Sequence, residues 1–484
     1  MRTVYVALLI WLPATTVAAQ EPLFVDVAQE VGLSGDGAAA WGDYDGDGWV
    51  DVWISGNLYR NEGGERFVRA NDAAALPTAR GGGTWGDCDN DGDLDLFLWS
   101  GKGALLRNNG DGTLSDAGAD MPELPTVVSR GASWADLNGD GYLDLYVGGY
   151  EVWEKEMYPD VVCLNQGDGT LREHWRTPGS EMLSARGVTC ADFDEDGDVD
   201  VYVSNYRLQP NILWRNDTRA GAPPRDLSLS DVAVEYNVAG KLKSKLKYMG
   251  GREYHVCGHT IGSAWGDLDG DARLDLFVGN FSHPPSYQDR PMFLRNEGPP
   301  GYGFEDKSGT AGLEWQESFA SPALGDFDSD GDLDLYFTTV YKGDRSVLYR
   351  NEGNWRFADV TEPAGIQAER TYQSAWCDYD NDGDLDLLTG GKLYQNRTPG
   401  GHWLLATLRG DGSAIGAQAR VRVGDRVLVR QVEGSTGEGN QNDMRLHFGL
   451  GEHADQAEIE VRWLGGARQT MRTPVDRAVT ITQR

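Results

Sequence analysis

Apolar residues recur at every second position through much of the chain, in short runs closed by Gly, Asn and Asp. Val50, Val52 and Ile54, or Leu94, Leu96 and Leu98, alternate with acidic and other residues, the period of a strand with one buried face. An acidic loop precedes each run. In five copies a small-plus-aromatic pair leads into that loop: Ala40-Trp41, Thr84-Trp85, Ser133-Trp134, Ala264-Trp265 and Ala375-Trp376. A second hairpin often follows, marked by NLYRNEG (57–63), LLRNNGDG (105–112), CLNQGDG (163–169), FLRNEG (293–298) or VLYRNEG (347–353). Asn-Gly and Asp-Gly neighbourhoods favour tight hairpin turns. The predicted unit is about four short strands.

The loop reads D-x-D-x-D-G-x-x-D and occurs seven times. The first three copies place Asp43, Asp45, Asp47 and Asp51; Asp87, Asp89, Asp91 and Asp95; and Asp136, Asn138, Asp140 and Asp144. The next two place Asp192, Asp194, Asp196 and Asp200, then Asp267, Asp269, Asp271 and Asp275. The last two place Asp326, Asp328, Asp330 and Asp334, then Asp378, Asp380, Asp382 and Asp386. Successive copies start 44, 49, 56, 75, 59 and 52 residues apart, and a four-stranded unit of about 40–50 residues is the size of a propeller blade. The excess is loop.

Alternate aspartates turn their carboxylates to the inside of a tight loop, and glycine at the sixth position permits a positive φ. Four converging carboxylates repel one another unless a cation sits among them. A hard cation that takes six to eight oxygens meets that need, so the expected cofactor is Ca²⁺, about six or seven ions per chain. An EF-hand is excluded, because position 12 is apolar in most copies (Ile54, Leu98, Val147, Val203, Val278) where that motif needs a bidentate Glu. The fifth loop departs most: Ala272 replaces the glycine beside Arg273, which makes it the weakest site.

Lys and Arg number 43 against 76 Asp and Glu, a formal net charge of -33 that argues against nucleic acid and anionic membrane as partners. Arg2, an apolar run over 4–13 and Val17-Ala18-Ala19 read as an export signal over residues 1–19. The run is too short for a transmembrane anchor and no later stretch is longer, so the expectation is a secreted protein, extracellular or periplasmic. The repeats fill 20–396, RTPGG (397–401) reads as a linker, and 402–484 as a small all-β domain without acidic loops. Of five cysteines, Cys163 and Cys257 lie outside the repeat cores and are the candidates for a disulfide.

The widest gap between loops holds a basic insert in which Lys241, Lys243, Lys245 and Lys247 share one face of an extended segment. It ends in His255, Cys257 and His259, which at i, i+2 and i+4 of such a segment face the same way and form a soft donor set for Zn or Cu.

The loops with their strands resemble FG-GAP/VCBS repeats of integrin-α-type β-propellers. That resemblance implies seven blades, with residues 23–27 closing the ring as the last strand of the seventh. SAIGAQARVRVGDR (413–426), QNDMRLHFGLG (441–451) and IEVRWLGGARQ (459–469) resemble the ASPIC/UnbV domain. A propeller followed by this tail is the arrangement of the cartilage acidic protein family. Trp463-Leu464-Gly465-Gly466 departs from that family's Trp-Pro-x-Gly, and the basic insert is a second departure. The expected fold is all-β: a seven-bladed β-propeller followed by a small all-β C-terminal domain. The resemblance implies a secreted, calcium-binding, adhesion- or matrix-like protein.

No G-x-S-x-G elbow, H-E-x-x-H or phosphate loop occurs. Two functional readings follow. One is a non-catalytic calcium-binding module for an extracellular protein or polysaccharide. The alternative is an enzyme or redox protein with a transition metal at His255, Cys257 and His259.

Overall fold

The structure, a computed structural model, describes residues 23–484 apart from 73, 75, 77–80, 100, 126–128, 154, 219–226, 243–244, 249–251, 256, 284–287 and 454. The expected export signal lies outside the described residues.

The alternating runs form seven four-stranded antiparallel sheets. Their innermost strands are Ala39–Gly42, Gly83–Gly86, Ala132–Ala135, Ala185–Ala191, His259–Gly266, Phe319–Gly325 and Ser374–Cys377. Each touches the next, and the last touches the first, so the sheets are the seven blades of a closed propeller. Blade 7 borrows its outer strand from the start of the chain: Phe24–Asp26 pairs antiparallel with Lys392–Asn396, Phe24 opposite Asn396.

The small-plus-aromatic pairs explain the close approach of the blades. Trp85 Nε1 donates to the Ala40 carbonyl (3.1 Å), Trp134 Nε1 to Thr84 (3.1 Å) and Trp376 Nε1 to Ala323 (3.3 Å), in each case across to the preceding blade. At Gly42 a Cβ would stand 2.9 Å from Cδ1 of Trp85, so the next blade's indole leaves room only for glycine. Burying so large a ring supplies much of the interblade cohesion.

The proposed Cys163–Cys257 disulfide does not form. Cys163 is a reduced thiol buried in the strand Val161–Asn165 of blade 3, packed with Leu145, Val147 and Leu171. It serves that blade's core. In the basic insert, Lys245–Tyr248 pairs with Arg252–His255, and Lys241 Nζ lies 2.8 Å from Asp306. Lys243 and the side chains of Lys245, Lys247 and His255 lie outside the described residues.

Beyond residue 401 the strands build two further sheets. In one, His402–Arg409 lies between Leu446–Gly451 and a parallel Arg477–Thr482. In the other, Gln418–Val423 pairs with Arg426–Gln431 and Ala457–Arg462, and the last with Arg468–Thr473. Leu404, Val421, Phe448 and Ile459 form their core, continuous with Leu143 and Leu145 of blade 3.

Residues 433–443, between these sheets, enter the propeller axis and meet all seven blades. Gln441 N donates to the Ala39 carbonyl of blade 1 (2.9 Å), and its amide side chain exchanges two bonds with the Trp85 backbone of blade 2 (2.7 and 3.0 Å). At Gly434 a Cβ would lie 2.2 Å from the Trp134 carbonyl oxygen of blade 3. Glu438 pairs with Arg186 of blade 4 at 2.5 Å. Gly437 N donates to Ser263 of blade 5 (2.8 Å), Glu438 N to Ser321 Oγ of blade 6 (2.9 Å), and Asp443 N to Trp376 of blade 7 (2.9 Å). The axis is therefore a buried polar spindle whose donors and acceptors are supplied by the C-terminal segment.

Candidate metal centres

Every acidic loop joins the innermost strand of its blade to the second, so all seven lie at one end of the propeller. The sixth position is left-handed in each, from Gly48 (φ +91°) to Gly383 (φ +98°), and Ala272 takes it at +69°. The first aspartate closes the loop by accepting backbone N–H groups from the fifth and sixth positions. Asp43 takes Asp47 and Gly48 (both 3.0 Å), Asp87 takes Asp91 (3.1 Å) and Gly92 (3.0 Å), and Asp378 takes Asp382 and Gly383 (both 3.1 Å).

The ninth-position aspartate is fully buried in each blade and holds two segments together. Asp334 Oδ2 accepts from Phe327 N (3.1 Å) and Oδ1 from Asn351 N (2.8 Å). That asparagine belongs to the RNEG hairpin signature, and its side chain reaches two carbonyls: Leu333 in its own blade and Leu268 in the preceding loop, both at 3.1 Å. Asn61, Asn108, Asn165, Asn216, Asn296 and Asn396 repeat the arrangement. These seven asparagines clamp each loop to the one before it. Five of them lie in the hairpin-turn signatures and Asn216 and Asn396 in none, and their distance from the ninth aspartate varies from 10 residues (Asp51 to Asn61) to 21 (Asp144 to Asn165).

Carboxylate oxygens converge within 4.8 Å of one another in the triads Asp43/Asp45/Asp51, Asp87/Asp89/Asp95, Asp192/Asp194/Asp200, Asp267/Asp269/Asp271 and Asp326/Asp328/Asp334. Oδ1 of Asp45, Asp89, Asp192, Asp194, Asp326, Asp328 and Asp380 is buried without a hydrogen-bond donor. Burial, reinforced by neighbouring carboxylates, pushes the first aspartates up, to about 6 for Asp87 and about 7 for Asp192, Asp326 and Asp378. Buried anionic oxygens with no donor and mutual repulsion are the donor set of a hard divalent cation, so the residues present fit calcium.

The fifth loop satisfies itself differently. Arg295 Nε lies 2.7 Å from Asp269 and its Nη2 2.9 Å from Asp271, which also pairs with Arg273. No carboxylate oxygen of this loop is buried without a donor among the described residues. Two guanidinium groups thus pair with the carboxylates of this loop, whereas Arg107 beside Asp89 (2.8 Å) supplies one in the second and Arg430 beside Asp326 (3.5 Å) one in the sixth.

The C-terminal sheets sit over this end of the propeller. Gly449 N donates to Asp326 Oδ2 (3.0 Å), Arg430 lies 3.5 Å from the same carboxylate, and Arg445 reaches the Asp378 carbonyl (2.6 Å). Arg420 pairs with Glu195 and Arg426 with Asp332.

Of the soft-ligand trio, Cys257 and His259 have described side chains and His255 does not. Cys257 packs on Gly240 and accepts the Asp289 N–H (3.4 Å), while His259 lies between Tyr206 (ring centroids 4.5 Å) and His283 (5.5 Å). Burial pushes the His259 imidazole down to about 3, so it is neutral at pH 7. Among the described residues, no helix is long and apolar enough to cross a membrane.

Residues 87–147, 156–203, 267–337 and 326–389 match the FG-GAP-like repeat, and residues 408–484 match the ASPIC and UnbV family. The chain is an all-β protein of FG-GAP-like repeats with a C-terminal ASPIC/UnbV domain. It is similar to cartilage acidic protein 1 of Homo sapiens, 26% identical over 223 residues, which is 45% of this chain and 30% of that protein. To cartilage acidic protein 1 of Xenopus tropicalis it is 25% identical over 248 residues, 50% of this chain and 33% of the relative. The match spans about a third of these curated relatives. Among solved structures, the extracellular domain of a hybrid two-component system from B. thetaiotaomicron aligns at a TM-score of 0.43 and 9% identity, over 96% of this chain and 59% of that one.

Proposed function

We propose that this protein is an exported, calcium-stabilised β-propeller that works as a non-catalytic binding module. The observation that carries the reading is the set of convergent aspartate triads with buried, donorless oxygens. The first, third and ninth positions would hold the ion, and the sixth-position turn brings them together. Bound calcium supplies positive charge to each loop and so fixes the hairpin between the first two strands of a blade. Six loops take calcium. The fifth, closed by Arg273 and Arg295, takes none at concentrations that fill the others.

The test is calorimetry with elemental analysis on the full chain. Each filled site adds about 2.7 kcal/mol when free calcium is a hundredfold above its Kd. Chelation therefore lowers the melting temperature, and calcium restores it with about six ions per chain. An identical melt with chelator and with calcium would sink this reading. The same elemental analysis reads zinc and copper, which the alternative at His255, Cys257 and His259 requires.

A further inference from the structure

The two ends of the propeller differ in what they leave open. The aspartate-loop end lies under the C-terminal sheets and the axis is filled by residues 433–443. At the opposite end the chain enters each innermost strand and leaves each second strand. The three exposed aromatic side chains among the described residues all lie there: Trp153 (50% exposed), Trp315 (47%) and Tyr341 (43%). Trp153 follows the strand Asp144–Val147, Trp315 precedes Phe319–Gly325, and Tyr341 follows Asp334–Thr339. Exposed aromatics on one face mark a contact surface.

Trp153 and Tyr341 are the ends of one continuous line of side chains. The Arg207 guanidinium lies 3.7 Å from the Trp153 ring and 5.0 Å from Tyr206. Tyr206 packs at a tilt against His259 (4.5 Å), His259 meets Phe281 (6.5 Å), and Phe281 meets Tyr341 (5.2 Å). Acidic side chains pair polar groups along this line: Arg207 with Glu151, and His283 Nδ1 with Glu317 at 2.6 Å. This belt runs through buried His259 and Phe281 and surfaces at its two ends, Trp153 and Tyr341, with the paired groups Arg207–Glu151 and His283–Glu317 along it.

That chemistry selects among ligands. A polyanion finds the Arg207 guanidinium already paired with Glu151 and a molecule that stays net negative with calcium bound. A purely apolar protein surface would desolvate the accessible Glu317 carboxylate without gain. A pyranose has C–H faces for the rings and hydroxyls for the paired polar groups. We propose that this belt is the binding surface of the module and that its ligand is a neutral polysaccharide, with sugar rings laid on Trp153 and Tyr341. This rests on the binding-module reading above and adds its face and ligand class.

The test is a glycan array spanning neutral and acidic polysaccharides, followed by affinity electrophoresis of the calcium-loaded full chain in the strongest neutral hit. Alginate and heparin serve as anionic comparators. Trp153→Ala and Tyr341→Ala should each weaken retardation about tenfold, the worth of one stacking contact. Because both rings are exposed, the melting temperatures of the variants stay at the wild-type value. Binding to acidic glycans alone, no binding to any neutral glycan, or retardation unchanged in both variants would overturn the assignment. So would a protein partner captured through Trp153 without glycan binding. A glycan failure with calcium-dependent melting intact sinks the belt alone, whereas loss of that dependence sinks the parent reading.

Discussion

Asn351 makes three hydrogen bonds that a turn residue has no need of, one to the buried Asp334 carboxylate and two to carbonyls on either side of a blade junction. Replacing it by Ala leaves the Leu268 and Leu333 carbonyls buried without their donor. Asn351→Ala should cost about 2–4 kcal/mol in chemical denaturation, far above the value for an exposed turn. Ala272 is the converse case, a side chain in a left-handed position that its six counterparts give to glycine. Ala272→Gly should raise stability by about 1 kcal/mol, read by the same denaturation. The acidic loops were legible from sequence because every contact within them is local: first to fifth and sixth positions, and ninth to second. The asparagine clamps were not, because a hairpin of variable length separates each from its aspartate. Only its recurrence beside every loop marked it.

The strands and blades could be read from their alternation, but the spindle at residues 433–443 could not. Its sequence, EGSTGEGNQND, has the small polar texture of a surface turn, yet Ser435, Thr436, Glu438, Asn440 and Gln441 are all buried. Their partners lie as far away as Ala39, so no window of sequence contains both halves of the contact. The centre of this element is Glu438 against Arg186, whose guanidinium also lies over Tyr150, Tyr206 and Tyr372 at 5.0–5.7 Å. Removing one charge strands the other in a buried site. Glu438→Gln should cost about 3–5 kcal/mol, more than any surface ion pair here. A double variant that also replaces Arg186 by Met should recover part of that loss, and a cycle showing no coupling would refute the pairing.

At the scale of the molecule the two families of sheets are one cooperative body. The core of the C-terminal sheets is continuous with apolar residues of blades 2 and 3, and the ASPIC/UnbV domain both caps the aspartate-loop end and fills the axis. A chain ending at residue 401 should lose the single sharp calorimetric transition of the full chain and melt broadly at lower temperature, even in calcium. A truncated chain that melts like the full one would show the spindle to be dispensable. The domain layout suggested a propeller with a separate appendage, since nothing local in residues 402–484 indicates a propeller hub. The borrowed strand Phe24–Asp26 adds a condition of timing. The first described strand pairs with the last blade strand in chain order, and the spindle emerges later still. The ring stays open until Lys392–Asn396 is made, and its axis stays empty until residues 433–443 follow. Through that interval the chain depends on something else to shield its edges, so slow or interrupted synthesis should show as aggregation before any loss of stability in the finished protein.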